Sequence, residues 1–463
     1  MNHASFAPSR PSACPALARI VAARDGGLCR VKLPAGVLRA REACAIADAA
    51  HAHASGVVEL TNRANLQLRG VKAGHEDELS RRLADTGLGP RVPGVPGVPG
   101  ASHAPRPAAR QAAIADDVRN LLLSPAAGID AGALYDTRPL ARLTLARLQN
   151  DARFAALSPK FSMLLDGGER LAALDHPHDL WFAAMAAPAD GWFALGLAGQ
   201  PADPALAAVR ARDLPAMAMA LLHAFVDLAA PDETRMRDLL RRLSGARILA
   251  HAAAQAGIAL RDDVRAWRRA PSEPARRFGA WPQRDARLSH VGGQPPLGRV
   301  DAHALRALAR LARDHGDGTL RLTPWQSVLI PAVPAGAIAH VERGLAALGF
   351  AIDARDPFAR LIACAGSTGC AKGLADTKAD ARDLARQLPD GVAVHLSGCA
   401  RSCAAAHCAP YTLLAVAPAR YDLYRRASAP ARASRFGERI GTRLTLEAAA
   451  RAIGDAARSF PDD

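Results

Sequence analysis

Four cysteines near the C-terminal end of the chain form two closely spaced pairs. Five residues separate Cys364 from Cys370, and three separate Cys399 from Cys403. Small residues flank both pairs, namely Gly366, Gly369 and Gly398. A cubane cluster needs four thiolates and a backbone that approaches its sulfides closely enough to donate N–H bonds to them. The pattern therefore predicts a [4Fe-4S] cluster on these four cysteines.

Two alternatives start from the same spacing. Zinc is the rival occupant, but structural zinc sites favour cysteines separated by about two to four residues, and the gap after Cys364 is longer. Cys408 lies five residues beyond Cys403 and could replace one of the four ligands. We interpret the remaining cysteines as small buried or half-buried residues: Cys14, Cys29, Cys44 and Cys408.

A segment of alternating apolar and polar residues, GVVELTNRANLQLRG, extends from Gly56 to Gly70. Its apolar residues fall on one face of an extended strand: Val58, Leu60, Ala64, Leu66 and Leu68. The opposite face carries Glu59, Thr61, Arg63, Asn65, Gln67 and Arg69. The period of two predicts a half-buried strand whose polar face offers arginines, amides and a hydroxyl in place of an ordinary solvated mixture.

A later segment, GTLRLTPWQSVLIP, repeats this pattern from Gly318 to Pro331. Leu60 aligns with Leu322 in it, and a helical segment precedes each copy, REACAIADAAHAHAS in one case and DAHALRALARLARDH in the other. Self-similarity of this kind indicates an internal duplication of a helix-then-strand unit. Between the copies, RVPGVPGVPG and the proline-rich residues after it are typical of a linker.

The formal net charge of +15 raises the question of nucleic-acid binding, because a basic surface attracts phosphates. Nearly all of the positive charge is arginine in an alanine-rich chain, which indicates a compositional bias. Aromatic residues, which single-strand binders use for stacking, make up only 4% of the chain. We therefore expect no nucleic-acid partner, and a polyanionic small substrate explains the charge equally well.

Membrane and secretion signals are weak in this sequence. The first residues lack an uninterrupted apolar segment, and the most apolar stretch, from Leu214 to Ala230, is short and interrupted by His223 and Asp227. We expect that stretch to be a buried or amphipathic helix, with no membrane partner. Eight cysteines without a secretion signal favour metal or redox chemistry in a reducing, cytoplasmic compartment.

Several motifs together resemble the sulfite/nitrite reductase superfamily. They are TNRANLQLRG, VRNLL, SPKF and the two cysteine pairs, in this order and with the duplicated unit. The resemblance covers most of the chain, from about Cys14 to Val416. It implies an α+β protein with duplicated ferredoxin-like half-domains and sulfite/nitrite reductase-type α/β domains that carry a [4Fe-4S] cluster beside a tetrapyrrole.

The resemblance also implies a division into domains. We expect half-domains at 14–88 and 286–352, a tetrapyrrole-binding domain at 108–230 and a cluster domain at 353–425. The connecting segments are a Pro/Gly-rich linker at 89–107, an irregular connection at 231–285 and a flexible tail with a terminal helix at 426–463.

In that superfamily, arginine, asparagine and lysine side chains surround the acid groups of the tetrapyrrole and its anionic ligand. Carried over by motif, the substrate-binding residues are Arg63, Asn65, Gln67 and Arg69 of the first strand, Arg119 and Asn120 of VRN, and Lys160 of SPKF. The assignment is chemically reasonable, because a macrocycle with many carboxylates needs permanently charged, bidentate donors.

One departure from the superfamily pattern concerns its reducing activity. Sulfite-reducing members carry two lysines in the form K-F-K, whereas this chain has Lys160, Phe161 and Ser162. The missing cation removes charge stabilisation and a proton source where an oxyanion would be reduced. A six-electron reductase is therefore disfavoured.

The opening RPSACPALARIVAARDGGLCRVKLPAG and ELTNRANLQLRG most resemble the precorrin-3A-oxidising branch of the superfamily, which serves oxygen-dependent cobalamin biosynthesis. That resemblance implies a monooxygenase that converts precorrin-3A to precorrin-3B with O2, by hydroxylation and lactone formation. It also implies a [4Fe-4S] cluster that relays electrons to a separate mononuclear non-haem iron. His395 and His407 are candidate iron ligands by proximity to the cysteines alone.

The electron donor and two competing functions stay open. No G-x-G-x-x-G fingerprint is present, so we expect electrons to come from an external donor or reductase. The main alternative is a siroheme-dependent sulfite or nitrite reductase in which Cys403 bridges cluster and haem iron. A third is a non-catalytic cluster protein that binds tetrapyrroles or nucleic acid.

Overall fold

A computed structural model describes residues 14–90, 106–186, 191–427 and 435–459. In these ranges the strands are β1 Val21–Ala23, β2 Gly26–Val31, β3 Val37–Arg39, β4 Val57–Leu60, β5 Leu66–Val71, β6 Leu121–Leu123, β7 Met163–Asp166, β8 His178–Ala184, β9 Trp192–Gly199, β10 Ala207–Arg210, β11 Gly279–Pro282, β12 Leu288–Gly293, β13 Arg299–Asp301, β14 Thr319–Leu322, β15 Val328–Pro334, β16 Leu361–Ala363, β17 Val394–Ser397, β18 Tyr411–Ala417, β19 Arg420–Arg425 and β20 Glu438–Leu444. The helices are α1 Ala40–His53, α2 Glu76–Asp85, α3 Arg106–Asp117, α4 Arg138–Asn150, α5 Leu214–Leu228, α6 Met236–Leu239, α7 Gly245–Ala256, α8 Ala302–His315, α9 Ile338–Ala347, α10 Gly366–Gly369, α11 Thr377–Ala385 and α12 Leu446–Ser459.

The duplicated unit forms two five-stranded sheets that exchange a strand. Their strand orders are β1-β2-β5-β4-β13 and β11-β12-β15-β14-β3, so each half contributes its third strand to the sheet of the other. Leu38 pairs with Leu320 in one sheet, and Val300 pairs with Val58 in the other. The exchange makes one continuous core out of two copies, and neither copy completes its sheet alone.

Helices α1 and α8 pack against each other in that shared core. Both bury residues at the i, i+3, i+4, i+7 spacing of an apolar helix face: Ala43, Ile46, Ala47 and Ala50 in α1, and Leu305, Leu308, Ala309 and Ala312 in α8. The small side chains on α1 allow the two helices to approach closely. The internal duplication seen in the sequence is therefore a structural duplication.

The alternation of apolar and polar residues in the two repeated segments did not reveal that the chain reverses direction within each of them. Residues 56–70 form a hairpin of β4 and β5, and residues 318–331 form the equivalent hairpin of β14 and β15, so the prediction of one continuous strand in each segment is wrong. Leu60 pairs with Leu66, and Leu322 pairs with Val328. The paired residues are an even number apart, so the alternation continues unchanged through the turn. Ala64 turns the first hairpin with a φ of 53°.

The other two sheets repeat a different topology. Their orders are β6-β7-β8-β9-β10 and β16-β17-β18-β19-β20, and each begins with three parallel strands and ends with two antiparallel ones. All seven residues of β8 are buried, as expected for a parallel strand that is covered on both faces. The sequences of these two sheets showed no repeat, so only the structure reveals this second duplication.

Three segments compare directly with the sequence expectations. The apolar stretch from Leu214 is helix α5, which is mostly buried, and no helix in the described ranges is both long and apolar enough to cross a membrane. Residues 91–105 of the predicted linker lie outside the described part of the chain, and α3 begins inside the predicted linker at Arg106. The tail was expected to be a flexible lead into a helix, but β20 adds an edge strand to its sheet before α12 begins.

Candidate active site

The four cysteines come from two loops that leave neighbouring parallel strands. Cys364 directly follows β16 and Cys370 directly follows α10, while Cys399 and Cys403 lie in the loop after β17. Because β16 and β17 are parallel, their carboxyl ends meet at the same edge of the sheet. The backbone N–H of Cys364 donates to the carbonyl of Leu396 at 3.3 Å, which ties the two loops together.

The surroundings of Cys364 fit a ligand of an iron–sulfur cluster. The N–H of Gly398 donates to its Sγ at 3.2 Å, and the hydroxyl of Thr377 lies 3.5 Å from the same sulfur. Hydrogen bonds to the sulfurs are a means by which proteins hold and tune such clusters. A Cβ atom at Gly373 would lie 2.5 Å from the carbonyl carbon of Gly366, so the loops around Cys364 are close-packed backbone.

The positions of the sulfurs favour the predicted set of four. Burial, and then the charges of Cys399, Cys364 and Cys370, raise the pKa of Cys403, so the four thiols are near neighbours. For Cys408, burial raises the pKa and Arg426 lowers it, and none of the other cysteines contributes.

The same geometry argues against a zinc ion on these cysteines. Tetrahedral zinc with Zn–S bonds of about 2.3 Å needs sulfurs about 3.8 Å apart. No three of these cysteines place their sulfurs within 4.8 Å of one another in the described chain. The spacing suits a larger cluster better than a single ion.

A group of arginines lies beside the cysteine loops. Arg63 sits in the turn between β4 and β5, and burial, followed by the charges of Arg235 and Arg30, lowers its pKa to about 10. Its guanidinium donates one long hydrogen bond, of 3.4 Å, to the carbonyl of Lys160. The Nε of Arg30 is buried and has no hydrogen-bond partner. Both arginines are half-buried and poorly paired, which suits an anionic ligand with several carboxylates.

Lys160 and the turn around Arg63 connect this basic group to the loop after β17 that carries Cys399 and Cys403, which we call the cluster loop. The charge of Lys160 lowers the pKa of Cys403, although burial of that thiol is the larger, opposing effect. The amide of Asn62 donates to the carbonyl of Cys403 at 3.3 Å. Lys160 is exposed, so its ammonium group is accessible beside the cluster loop.

Arg69 and Asn65, which the sequence analysis predicted to bind substrate together with Arg63, make hydrogen bonds within the protein. Arg69 makes a bidentate ion pair with Asp25, at 2.8 and 2.9 Å, and also donates to the carbonyl of Gly369. The side chain of Asn65 accepts the N–H of Leu33 at 2.8 Å and so stabilises the turn. Both side chains already have protein partners.

Of the remaining predicted binding residues, Asn120 and Arg119 have side-chain partners within the protein. Gln67 lies on β5, where it pairs in register with Glu59 and Arg30. Asn120 donates to the carbonyl of Pro159 at 2.5 Å and so positions the SPKF loop. Arg119 is buried and pairs with Asp116 at 3.2 Å. The contacts of Asn120 and Arg119 hold the elements around the basic group, whereas Arg63 belongs to that group and Lys160 adjoins it.

The structure adds residues that the sequence analysis missed. Arg30 and Arg235 join Arg63, and His178 is buried beside them with neither ring nitrogen hydrogen-bonded. Burial lowers the pKa of His178 far below its usual value, and the charges of His176, Arg63 and Arg235 act in the same direction. These residues come from distant parts of the chain, and no local motif marks any of them.

A second donor cluster adjoins this region. Asp175 and His176 precede β8, and His407 lies in the loop before β18. The Nδ1 of His176 is 2.7 Å from one oxygen of Asp175, and the Nδ1 of His407 is 3.6 Å from the other. Burial lowers the pKa of His407 to about 4, which keeps its imidazole neutral. His395, the other histidine named from the sequence, is buried on β17 and lies outside this group.

The sequence matches two domains of one family. The Nitrite/Sulfite reductase ferredoxin-like half domain matches residues 22–86 and 281–348, which contain the strand-exchanged unit. The Nitrite and sulphite reductase 4Fe-4S domain matches residues 114–258. That range contains the sheet of β6 to β10, whereas the four cysteines lie in the topologically equivalent sheet of β16 to β20.

Relatives with two different names resemble this chain to a similar degree. It is 28% identical to the precorrin-3B synthase of Sinorhizobium sp over 434 residues, covering 90% of this chain and 83% of that protein. It is 29% identical to the chloroplastic ferredoxin–nitrite reductase of Arabidopsis thaliana over 400 residues, or 81% of this chain. The matched region spans only 64% of the length of that reductase.

A solved structure supports the same fold. The NirA protein of Mycobacterium tuberculosis superposes with a TM-score of 0.74 at 21% identity, covering 94% of this chain and 80% of that one. The predicted α+β fold, with duplicated ferredoxin-like half-domains and reductase-type α/β domains, is confirmed. Because the two domain matches cover more than half of its residues, the chain belongs to the nitrite and sulfite reductase family of iron–sulfur oxidoreductases.

Proposed function

We propose that this protein oxidises precorrin-3A to precorrin-3B with dioxygen, in aerobic cobalamin biosynthesis. One oxygen atom enters the macrocycle as a hydroxyl group, and an acetate side chain closes a lactone. The second oxygen atom leaves as water after two electrons arrive from an external donor and two protons are taken up. Similarity to a precorrin-3B synthase over 90% of this chain supports the proposal.

The chain's own residues bind and orient the substrate in this proposal. Arg63 and Arg30 bind carboxylate side chains of the macrocycle, because both guanidinium groups are desolvated and lack strong protein partners. Lys160 supplies an accessible cation at the edge next to Cys403. The [4Fe-4S] cluster on Cys364, Cys370, Cys399 and Cys403 supplies one-electron transfer, and a non-haem iron supplies oxygen activation.

The observation that carries the proposal is the environment of Ser162. This residue stands where sulfite-reducing relatives have their second lysine, and it is only 2% exposed. Its N–H donates to the carboxylate of Asp179 at 2.9 Å, and that carboxylate pairs with Arg235 at 2.8 Å. The buried Ser162 hydroxyl carries no charge, so the second cation that sulfite-reducing relatives have for oxyanion reduction is absent at this position.

The test is purification without oxygen, followed by an absorption spectrum and mass analysis of any extracted tetrapyrrole. We expect an iron–sulfur spectrum without siroheme, oxygen consumption that depends on precorrin-3A and an electron donor, and negligible reduction of sulfite or nitrite. Ser162→Lys should create no reductase, since siroheme would still be lacking. Robust sulfite or nitrite reduction with a siroheme spectrum would overturn the proposal.

A siroheme-dependent reductase is the second candidate, and two observations favour it. The chain is as similar to ferredoxin–nitrite reductases as to the synthase. Cys403 is exposed next to Lys160, where it could bridge the cluster to a haem iron. The spectrum of the protein purified without oxygen separates the two candidates, because only the reductase carries a resident siroheme.

A further inference from the structure

The Asp175, His176 and His407 side chains form the tightest donor group in the described chain. One ligand atom from each lies within 4.8 Å of the other two, and no other three histidine, cysteine, aspartate or glutamate residues in the described ranges meet as closely. The rings of His176 and His407 are tilted by 48° with centroids 5.1 Å apart, so they do not stack face to face. The carboxylate of Asp175 approaches both rings.

The histidines have donor atoms that the protein itself does not use. The side chain of His176 is only 3% exposed, and its Nε2 is buried without a hydrogen-bond partner. The Nδ1 of His407 is also buried and unpartnered. Buried polar atoms without partners are uncommon in folded proteins, and an unfilled ligand site is one of their explanations. If the hydrogen bond between Asp175 and His176 served only the structure, it would not explain why the Nδ1 of His407 is also buried without a hydrogen-bond partner.

We propose that Asp175, His176 and His407 bind one mononuclear transition-metal ion. Two imidazoles and one carboxylate would supply three ligands and leave further positions for other ligands, and this is the ligand set of non-haem Fe(II) oxygenases. The choice of Fe(II) as the working metal rests on the proposed function, whereas the site itself rests on the three donors alone. The side chain of Asp175 is 51% exposed, so the site is reachable from solvent on the side of this carboxylate.

The kinds of ligand atom in this group disfavour Ca²⁺ and Mg²⁺ as the bound ion. Those ions need several oxygen ligands, and this group offers a single carboxylate. The charge of Asp175 acts on Arg277, and Arg277 and Arg426 both lower the pKa of His407. Two imidazole donors suit a transition metal that bonds to nitrogen, and the neighbouring guanidinium groups suit an anionic ligand beside that metal.

The location of the site matches a role beside the cluster. His407 follows Cys403 by four residues in the same loop, and His176 is a near neighbour of His178, which adjoins Arg63. The proposed ligands are therefore near neighbours of both the cysteine loop and the basic group that we assign to the macrocycle, where a bound metal could receive electrons from the cluster.

The experiment measures metal binding directly in the full-length protein with its cluster intact. Fe(II) and, separately, Co(II) are titrated without oxygen into wild-type protein and into Asp175→Asn, His176→Ala and His407→Ala variants. We expect one ion per wild-type chain beyond the cluster iron, with a Co(II) absorption spectrum typical of nitrogen and oxygen ligands. Each variant should lose affinity by about 100-fold or more, because loss of even an outer-shell partner costs about 10- to 100-fold.

A matched control is offered by another histidine pair. The rings of His315 and His340 lie 4.5 Å apart without a third donor, and His340 is exposed, so His340→Ala should leave metal binding unchanged. Cluster content and unfolding temperature report whether each variant is folded, and Asp175→Asn keeps the shape of an exposed side chain. Unchanged metal content in all three variants, or no extra ion in the wild type, would overturn the site.

The outcome also separates this site from the proposed function. If the wild type binds the metal, the variants do not, and the wild type does not turn over precorrin-3A, the metal site is supported and the proposed function is rejected. Turnover that survives in metal-free His407→Ala protein would reject the role of the site and retain the function.

Discussion

Removing the charge of Arg63 and removing the charge of Arg69 should change the stability of the folded protein in opposite directions. The guanidinium of Arg63 is desolvated beside Arg235 and Arg30 and makes one long hydrogen bond. Arg69 is paired through two short hydrogen bonds with Asp25. In the absence of ligand, we expect Arg63→Met to stabilise the protein and Arg69→Met to destabilise it.

The magnitudes follow from these environments. Lowering the pKa of Arg63 from 12.5 to about 10 corresponds to about 3 kcal/mol of unfavourable free energy for the charged form at neutral pH. Because solvent relaxation reduces such values, we expect Arg63→Met to gain about 1 to 3 kcal/mol. Arg69→Met removes charged hydrogen bonds and leaves Asp25 unpaired, which should cost about 2 kcal/mol or more.

Two assays test this prediction. Urea unfolding of the cluster-loaded, ligand-free proteins gives the stability change, and anaerobic titration with precorrin-3A gives the affinity. Arg63→Met should bind the macrocycle about 10- to 150-fold more weakly, the equivalent of about 1.5 to 3 kcal/mol for a charged hydrogen bond. The affinity of Arg63→Lys for the macrocycle should lie between those of the wild type and Arg63→Met, because lysine keeps the charge. A loss of stability in Arg63→Met as large as that in Arg69→Met would refute the reasoning.

Three further predictions concern the cluster and the pH dependence of stability. Cys403→Ser should lose cluster iron and sulfide, while Cys408→Ser should keep both; the reverse result would show that the ligand set is wrong. Gly373→Ala places a Cβ atom 2.5 Å from backbone, so it should cost about 1 to 3 kcal/mol and deplete the cluster, whereas Gly336→Ala, with open space around it, should do neither. Burial lowers the pKa of Lys32 to about 8 in the folded protein. Between about pH 8 and 10 the unfolded chain therefore binds more protons at Lys32 than the folded protein does, so the contribution of Lys32 to the stability of the wild type should become more favourable as the pH rises. The difference in unfolding free energy between wild type and Lys32→Met should grow by up to about 1.4 kcal/mol per pH unit in that range, and a difference independent of pH would contradict the prediction.

The second duplication suggests how the two outer sheets divide the work. Both have three parallel strands followed by two antiparallel ones, and a loop of one approaches a loop of the other where His407 lies 3.6 Å from Asp175. The later sheet supplies the cysteines and His407, and the earlier one supplies Asp175, His176 and Lys160. The proposed metal site therefore needs both sheets, and neither sheet provides it alone.

Local pattern alone identified the cysteine group and the duplicated unit. Close spacing in the chain forces Cys399 and Cys403 into one loop, and a period of two or of 3.6 follows directly from backbone geometry. The hairpin between Leu60 and Leu66 escaped detection because a reversal that joins residues an even number apart leaves the alternation intact. Strand exchange between the halves was equally invisible, since pairing partners far apart in sequence leave no local signal.

The roles of individual charged residues were decided only by tertiary structure. Arg63 and Arg69 have the same parity in the sequence, yet Asp25 neutralises only Arg69, because the turn before β2 folds back onto β5. His407 meets Asp175 only because the two outer sheets place their loops at a common centre. Residue types and spacing thus determined the family and predicted the cluster ligands, whereas the long-range pairing of strands determined which cations and imidazoles are left without partners and are therefore available for ligands.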